Sequence, residues 1–143
     1  MQTITEFMKE YHHSCDRTFA VSEQAVLDKK WMEAEIAFND FQADMARHFH
    51  IEENKLFPTL ISAGGPPGPV HVMCMEHDQM KALIEQMSGA LAQRDTEKYG
   101  GLSETLLIMM QQHNLKEEQM LYPIADHFLA THLESLLDDM RSA

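Results

Sequence analysis

Cysteine is scarce in this chain, which has Cys15 and Cys74 and no others among its 143 residues. The two are far apart in sequence and form no Cys-x-x-Cys pair. We therefore expect neither a disulfide framework nor a thiolate zinc site. We interpret both residues as buried free thiols.

Positive charge is also scarce, since 11 Lys and Arg face 23 Asp and Glu and give a formal net charge of −12. Such a surface repels phosphate backbones and anionic lipids, so we expect neither nucleic acid nor membrane partners. No apolar run reaches membrane-spanning length, and the N-terminus lacks the basic and apolar regions of a secretory signal. We expect a cytoplasmic protein.

Glycine and proline are sparse, and they cluster clearly in one place, at residues 64–69 (Gly-Gly-Pro-Pro-Gly-Pro), which predicts a loop. Elsewhere the apolar residues recur at three- and four-residue steps, the helical pattern. With 44% hydrophobic residues, the length suits one domain. We predict a single domain over 1–143, with a core at about 3–128 and a C-terminal extension at 129–143.

The periodicity predicts four long helices, over 3–27, 31–62, 70–93 and 96–128. Thr3 and Glu6 have capping-box spacing at the first, and Thr131 and Glu134 repeat it before a short fifth helix. Prolines at 58 and 123 should kink or loosen the last turns of helices two and four. Short connections predict an all-α, up-down-up-down four-helix bundle with a short C-terminal extra helix.

One template occurs twice, at residues 48–58 and 113–123. Each copy has a His four residues before a Glu and ends in Leu, an aromatic residue and Pro. Residues four apart on a helix share a face, so each copy directs an imidazole and a carboxylate to one place. Two such pairs indicate a metal site.

Polar residues also interrupt the apolar face of every long helix. Burying an ionised carboxylate without a partner costs several kcal/mol, and the lysines and arginines lie off these faces. A metal supplies the missing charge most simply. The predicted ligands are four imidazoles and two carboxylates: His12, His48, Glu52, His77, His113 and Glu117.

Six ligands exceed the four of a structural zinc, so two ions fit better. We expect one ion on His12 and His48 and another on His77 and His113, with both glutamates bridging. Of the remaining histidines, His13 and His50 are predicted to be surface residues, and His71, His127 and His132 are not expected to be ligands. Between His12 and His13 the choice stays open, because a quarter-turn rotation of helix one exchanges them.

These motifs resemble the hemerythrin-like proteins of the bacterial HHE type, over about residues 3–128. The resemblance is carried by the two copies of the template and by Glu76-His77 after the glycine- and proline-rich segment. It implies a four-helix bundle around two iron ions in an oxo- or hydroxo-bridged di-iron centre, with manganese or zinc as alternatives. Oxygen-carrying members of the family bind dioxygen reversibly.

Three positions depart from the oxygen-carrying pattern. Met73 replaces the first of two histidines on helix three, and Glu117 follows its histidine at four residues where those proteins have Asp at five. Tyr11 stands where many members carry an acid. Met is a poor ligand for ferric iron, so one ion should be less saturated and simple oxygen transport is not expected.

The leading hypothesis is therefore a di-iron centre that takes up O₂, NO or peroxide, with binding, sensing or detoxification as its role. One alternative is an enzyme that disproportionates peroxide or reduces NO, although the sequence identifies no catalytic side chain and no proton donor. Another is repair of damaged iron centres, although the cysteine-bearing N-terminal domain of the repair proteins is missing. The least favoured alternative is a metal-free helical interaction module.

Overall fold

The structure, a computed structural model, describes residues 2–143. These residues form helices joined by short turns and loops, without any β-strand. Helices α1, α2, α4 and α5 pack as an up-down-up-down bundle, which confirms the predicted fold. The elements are α1 (Ile4–Leu27), α2 (Trp31–Ile51), π1 (Glu52–Leu56), α3 (Phe57–Ser62), α4 (Pro67–Ala92), α5 (Thr96–Lys116), π2 (Glu117–Leu121), α6 (Tyr122–Phe128), a 3₁₀ turn (Ala130–His132) and α7 (Leu133–Arg141).

The N-terminus of α1 is capped from two sides. The Thr3 hydroxyl accepts the Glu6 backbone N–H at 3.1 Å, and the Glu6 carboxylate accepts the Thr3 N–H at 3.3 Å. This confirms the predicted capping box. Asp126 on α6 also accepts the Ile4 N–H at 2.7 Å, which ties the start of α1 to α6.

Both template copies contain a π-helical turn, which begins at the motif glutamate. The Phe57 N–H binds the Glu52 carbonyl, and the Tyr122 N–H binds the Glu117 carbonyl, five residues back in each case. Proline lacks an N–H and its ring crowds the carbonyl four residues earlier, so the wider turn accommodates the prolines at 58 and 123. The expected loosening thus takes the form of two π turns.

Two sequence predictions were wrong. The segment 64–69 is a loop only in its first half, because α4 begins at Pro67; the first turn of a helix leaves its N–H groups unbonded and tolerates proline. The second capping box does not form. The Thr131 hydroxyl lies 2.7 Å from His132 Nδ1, and α7 begins without a side-chain cap.

The core has two apolar clusters with the predicted site between them. The lower cluster joins the N-terminal turns of α1 to α3, α6 and α7, with residues such as Ile4, Leu56 and Leu137. The upper cluster fills the other end of the bundle around Phe38, Phe41 and Tyr99. Over residues 2–143, the helices are too short or too polar to span a membrane.

The two thiols differ in burial. Cys15 is buried in the upper cluster and Cys74 is partly exposed at the edge of the lower one. The interpretation of both as buried was wrong for Cys74. Its position on α4 faces the rim of the bundle and not the centre.

Candidate metal centre

The structure brings the six predicted residues together in one layer across the bundle. Each of the four long helices contributes one imidazole, and each π turn contributes its first residue, a glutamate. All six side chains are at most 2% exposed. They are His12 (α1), His48 (α2), Glu52 (π1), His77 (α4), His113 (α5) and Glu117 (π2).

The five histidines that were not predicted as ligands are exposed, as predicted for His13 and His50. They are His13, His50, His71, His127 and His132. His12 is 1% exposed while its neighbour His13 faces solvent, so the rotation of α1 places His12 in the layer.

Each buried carboxylate faces imidazoles from more than one helix. Glu52 Oε1 lies 2.8 Å from His48 Nε2 and 3.1 Å from His77 Nε2. Glu117 Oε1 lies 3.1 Å from His12 Nε2, 3.2 Å from His113 Nε2 and 3.8 Å from His48 Nε2. Donor atoms from helices far apart in sequence thus converge within a few ångströms.

These donors form two overlapping groups, each with atoms within 4.8 Å of one another. One group is Glu52, His77, His113 and Glu117, and the other is His12, His48 and Glu117. Because Glu117 belongs to both, the arrangement has the form of two adjacent ion positions that share a carboxylate.

Several atoms in this layer are buried without a hydrogen-bond partner among the described residues. They are both ring nitrogens of His48, Nε2 of His77 and His113, Glu52 Oε1 and Glu117 Oε2. A buried polar atom left unpaired costs about 1–3 kcal/mol. Most of them are lone-pair donors directed at one another, so a cation between them would satisfy them together.

Three imidazoles are oriented by a second carboxylate at Nδ1, and sequence analysis assigned these carboxylates no role. Glu118 lies 2.6 Å from His12 Nδ1, Glu53 2.6 Å from His77 Nδ1, and Glu76 2.7 Å from His113 Nδ1. An ionised carboxylate only accepts, so each Nδ1–H donates and Nε2 faces the centre.

On its outer side, each of these three carboxylates contacts a lysine, so an imidazole, a carboxylate and a lysine follow one another from the centre to the surface. Lys81 lies 3.7 Å from Glu53, Lys9 lies 4.0 Å from Glu118, and Lys116 contacts Glu76. Each motif has two adjacent glutamates, at 52–53 and 117–118, and this pairing was the sequence signal for two of the outer carboxylates. The first glutamate of each pair faces the centre, and the second contacts a histidine on a neighbouring helix. His48 differs, since its Nδ1 has no partner within residues 2–143.

Tyr122 is a further residue of the layer that sequence analysis missed. Its hydroxyl donates to Glu52 Oε2 at 2.7 Å and lies 3.1 Å from His12 Nε2, with the side chain 0% exposed. The sequence showed it only as the aromatic residue of the second template.

The buried charges stabilise one another. Burial lowers the pKa of His113, but the charged Glu117 carboxylate, whose Oε1 lies 3.2 Å from His113 Nε2, outweighs burial and raises that pKa to about 9. The pKa values of His12 and His77 are raised in the same way, by Glu117 and Glu52 respectively. Burial raises the pKa of Glu52, but the charge of His48 lowers it well below its usual range. Protons thus provide positive charge that a bound cation would replace.

The family model described as the hemerythrin HHE cation binding domain matches residues 3–125. The chain belongs to this family. The resemblance inferred from the motifs is confirmed, and the buried His and Glu cluster of this hemerythrin-like domain is compatible with a cation site. Searches of curated proteins and of solved structures gave no significant match.

The departures from the oxygen-carrying pattern have a structural counterpart. Met73 is 4% exposed and packs in the lower apolar cluster, one turn from His77. The Tyr11 ring packs on Phe7, with centroids 5.5 Å apart. These positions of the hemerythrin-like domain therefore hold apolar contacts.

A cavity of about 100 Å³, lined in part by Gln79, reaches His113 between α4 and α5.

Proposed function

We propose that this hemerythrin-like protein holds two iron ions on His12, His48, Glu52, His77, His113 and Glu117, and that the centre binds O₂, NO or peroxide. The observation that carries the proposal is the layer of buried donor atoms without partners in the described chain. A self-contained polar layer would pair these atoms, as protein cores do.

The donor chemistry fits iron. Imidazole with carboxylate suits iron, manganese or zinc, and carboxylates shared between two positions favour iron or manganese. His12 and His48 would hold one ion and His77 and His113 the other, with both glutamates between them. Bound iron would supply a reversible change of oxidation state when a small ligand binds.

The rest of the chain orients and shields this centre. The Nδ1 carboxylates fix three imidazole rings, and the apolar clusters above and below exclude water. The cavity of about 100 Å³ at His113, lined by Gln79, Gln112 and Lys116, would give a diatomic ligand or peroxide an approach to this side of the layer. We place the protein in the cytoplasm, consistent with its two free thiols.

The test is metal quantitation after anaerobic purification, followed by absorption spectra on exposure to air, NO and peroxide. We expect two irons per chain in the wild type and loss of both in His113→Ala, Glu117→Ala. A matched control, His127→Ala with Glu134→Ala, changes two exposed residues and should keep both ions. A metal-free wild type with unchanged melting after chelation would overturn the proposal and favour the interaction module.

Turnover separates binding from catalysis. Steady consumption of peroxide or NO by the loaded wild type, absent in the double variant, would assign the enzymatic alternative. A single stoichiometric binding event without turnover would assign binding or sensing of the ligand. Repair of iron centres would require transfer of iron to a damaged cluster, which an iron-release assay measures.

A further inference from the structure

The two template copies differ at one buried position beside the centre. The residue five places after the motif glutamate is Phe57 in the first copy and Tyr122 in the second. Each is the first residue after its π turn, and both are at most 2% exposed. The difference between them is one hydroxyl group.

The Tyr122 hydroxyl reaches across the bundle to the other copy. It donates to Glu52 Oε2 at 2.7 Å, while Glu52 Oε1 faces His48 and His77. One oxygen of Glu52 is therefore held by a hydrogen bond, and the other is directed at the imidazoles. The hydrogen bond occupies one lone pair of Oε2 and therefore favours Oε1, which has no hydrogen-bond partner among the described residues, as the oxygen that meets a cation.

Glu117 has no hydroxyl partner at its Oε2 within residues 2–143. Phe57 carries no hydroxyl, and its ring packs parallel to His77 with centroids 6.1 Å apart. Glu117 Oε2 is buried and has no hydrogen-bond partner in the part of the chain that the structure describes. Its Oε1 faces His12 and His113. Both oxygens of Glu117 can therefore bind cations.

We propose that Tyr122 is a positioning residue that makes the two bridging carboxylates unequal. Glu52 would present mainly Oε1 to the two ions, because Oε1 faces imidazoles assigned to both, whereas Glu117 would present both oxygens. The hydroxyl proton stays on Tyr122. This inference rests on the proposed function, since it concerns how the chain presents oxygens to the ions.

A direct metal–phenolate bond is the competing arrangement, because the hydroxyl also lies 3.1 Å from His12 Nε2. The two arrangements have different signatures. Phenolate bound to ferric iron gives a visible charge-transfer band and tyrosinate vibrations in the resonance Raman spectrum. A hydrogen bond to Glu52 gives neither, so the iron-loaded wild type should show no tyrosinate vibrations.

Infrared difference spectra of the zinc-loaded against the metal-free protein test the carboxylates directly. The separation of the two carboxylate stretches is wide when one oxygen binds metal and narrow when both do. We expect one wide and one narrow pair in the wild type. In Tyr122→Phe, which should still bind two ions, the wide pair should shift or disappear as Glu52 Oε2 is released.

Tyr99→Phe is the matched control, because Tyr99 is equally buried but lies in the upper cluster and bonds Ser22. Its infrared spectrum should equal that of the wild type. An unchanged spectrum in metal-loaded Tyr122→Phe, or tyrosinate vibrations in the wild type, would overturn the inference alone. Absence of metal in the wild type would overturn the proposed function with it. If Tyr122→Phe fails to fold, the wild-type infrared and Raman spectra still decide the question.

Discussion

The upper cluster and the His/Glu layer differ in whether their buried polar groups have hydrogen-bond partners. In the upper cluster the Ser22 and Tyr99 hydroxyls bond each other, and Ser103 donates to Glu23 at 2.8 Å. In the layer, among the residues that the structure describes, both ring nitrogens of His48 and one oxygen of each buried glutamate have no partner. Both regions are buried in one helical bundle.

This contrast separates polar groups that serve the fold from those that serve a ligand. A hydroxyl pair in the core contributes a modest net free energy, about 0.5–1.5 kcal/mol per hydrogen bond. Unpaired atoms cost more than that, and the layer contains several. A chain selected for stability alone would pair or remove them, so their presence indicates an external partner.

Removing the metal should cause the largest change in stability, because it leaves the donor atoms of the layer without a partner while the upper cluster stays paired. A cation that binds only the folded state, at a free concentration 1,000 times its Kd, stabilises it by about 4 kcal/mol. We therefore expect chelation to lower the melting temperature of the loaded wild type, measured by circular dichroism. The double variant His113→Ala, Glu117→Ala should melt at one temperature with and without chelator. Equal melting of the wild type under both conditions would contradict the prediction.

The fold and the six inward residues were accessible from the sequence because they depend on periodicity within single helices. His48 and Glu52, for example, interrupt an apolar stripe that can be counted along one helix. Which imidazole each outer carboxylate meets was not accessible. Glu76 adjoins His77 in sequence but orients His113 on another helix, and that pairing depends on how two helices rotate against each other.

The role of Tyr122 was hidden for a related reason. A π turn adds a residue to one turn and rotates everything after it, so helical spacing no longer predicts where residue 122 points. The start of α4 at Pro67 was missed because a rule for helix interiors was applied to a first turn. Local patterns thus predicted which residues turn inward, and packing determined which atoms meet.

Weakening one orienting carboxylate should have the next largest effect. Glu118→Ala leaves His12 in the layer but removes the acceptor of its Nδ1–H, and loss of such partners costs about 10–100-fold in metal affinity. Competition with a chromophoric chelator measures this change. Glu10→Ala, an exposed position on the face of α1 away from the layer, is the control and should leave the affinity unchanged. Equal affinities in the two variants would show that the outer carboxylates do not support the centre.

A smaller effect is expected in the upper cluster. Tyr99→Phe removes the buried hydroxyl that bonds Ser22 and should lower the free energy of unfolding by about 1 kcal/mol. The loss should be the same with and without metal, because this pair lies outside the layer. Urea denaturation of both forms measures it. A loss that appears only in the loaded protein would mean that the two regions are coupled and the contrast between them is false.

The smallest effect concerns the reactivity of the two thiols. The rate at which a reagent labels Cys15 measures how often the helices around the upper cluster separate, with and without metal in the layer. Cys15 is 1% exposed. Burial, and to a lesser extent the negative charge of Asp44, raises the pKa of its thiol far above the usual range. In a Cys74→Ser variant we expect no labelling of Cys15 by a thiol reagent in the loaded protein, and slow labelling after chelation. The reciprocal variant Cys15→Ser should label readily at the partly exposed Cys74, equally in both states. Rapid labelling of Cys15 in the loaded protein would show that the upper cluster opens independently of the centre, because reaction of a buried thiol requires the surrounding helices to separate.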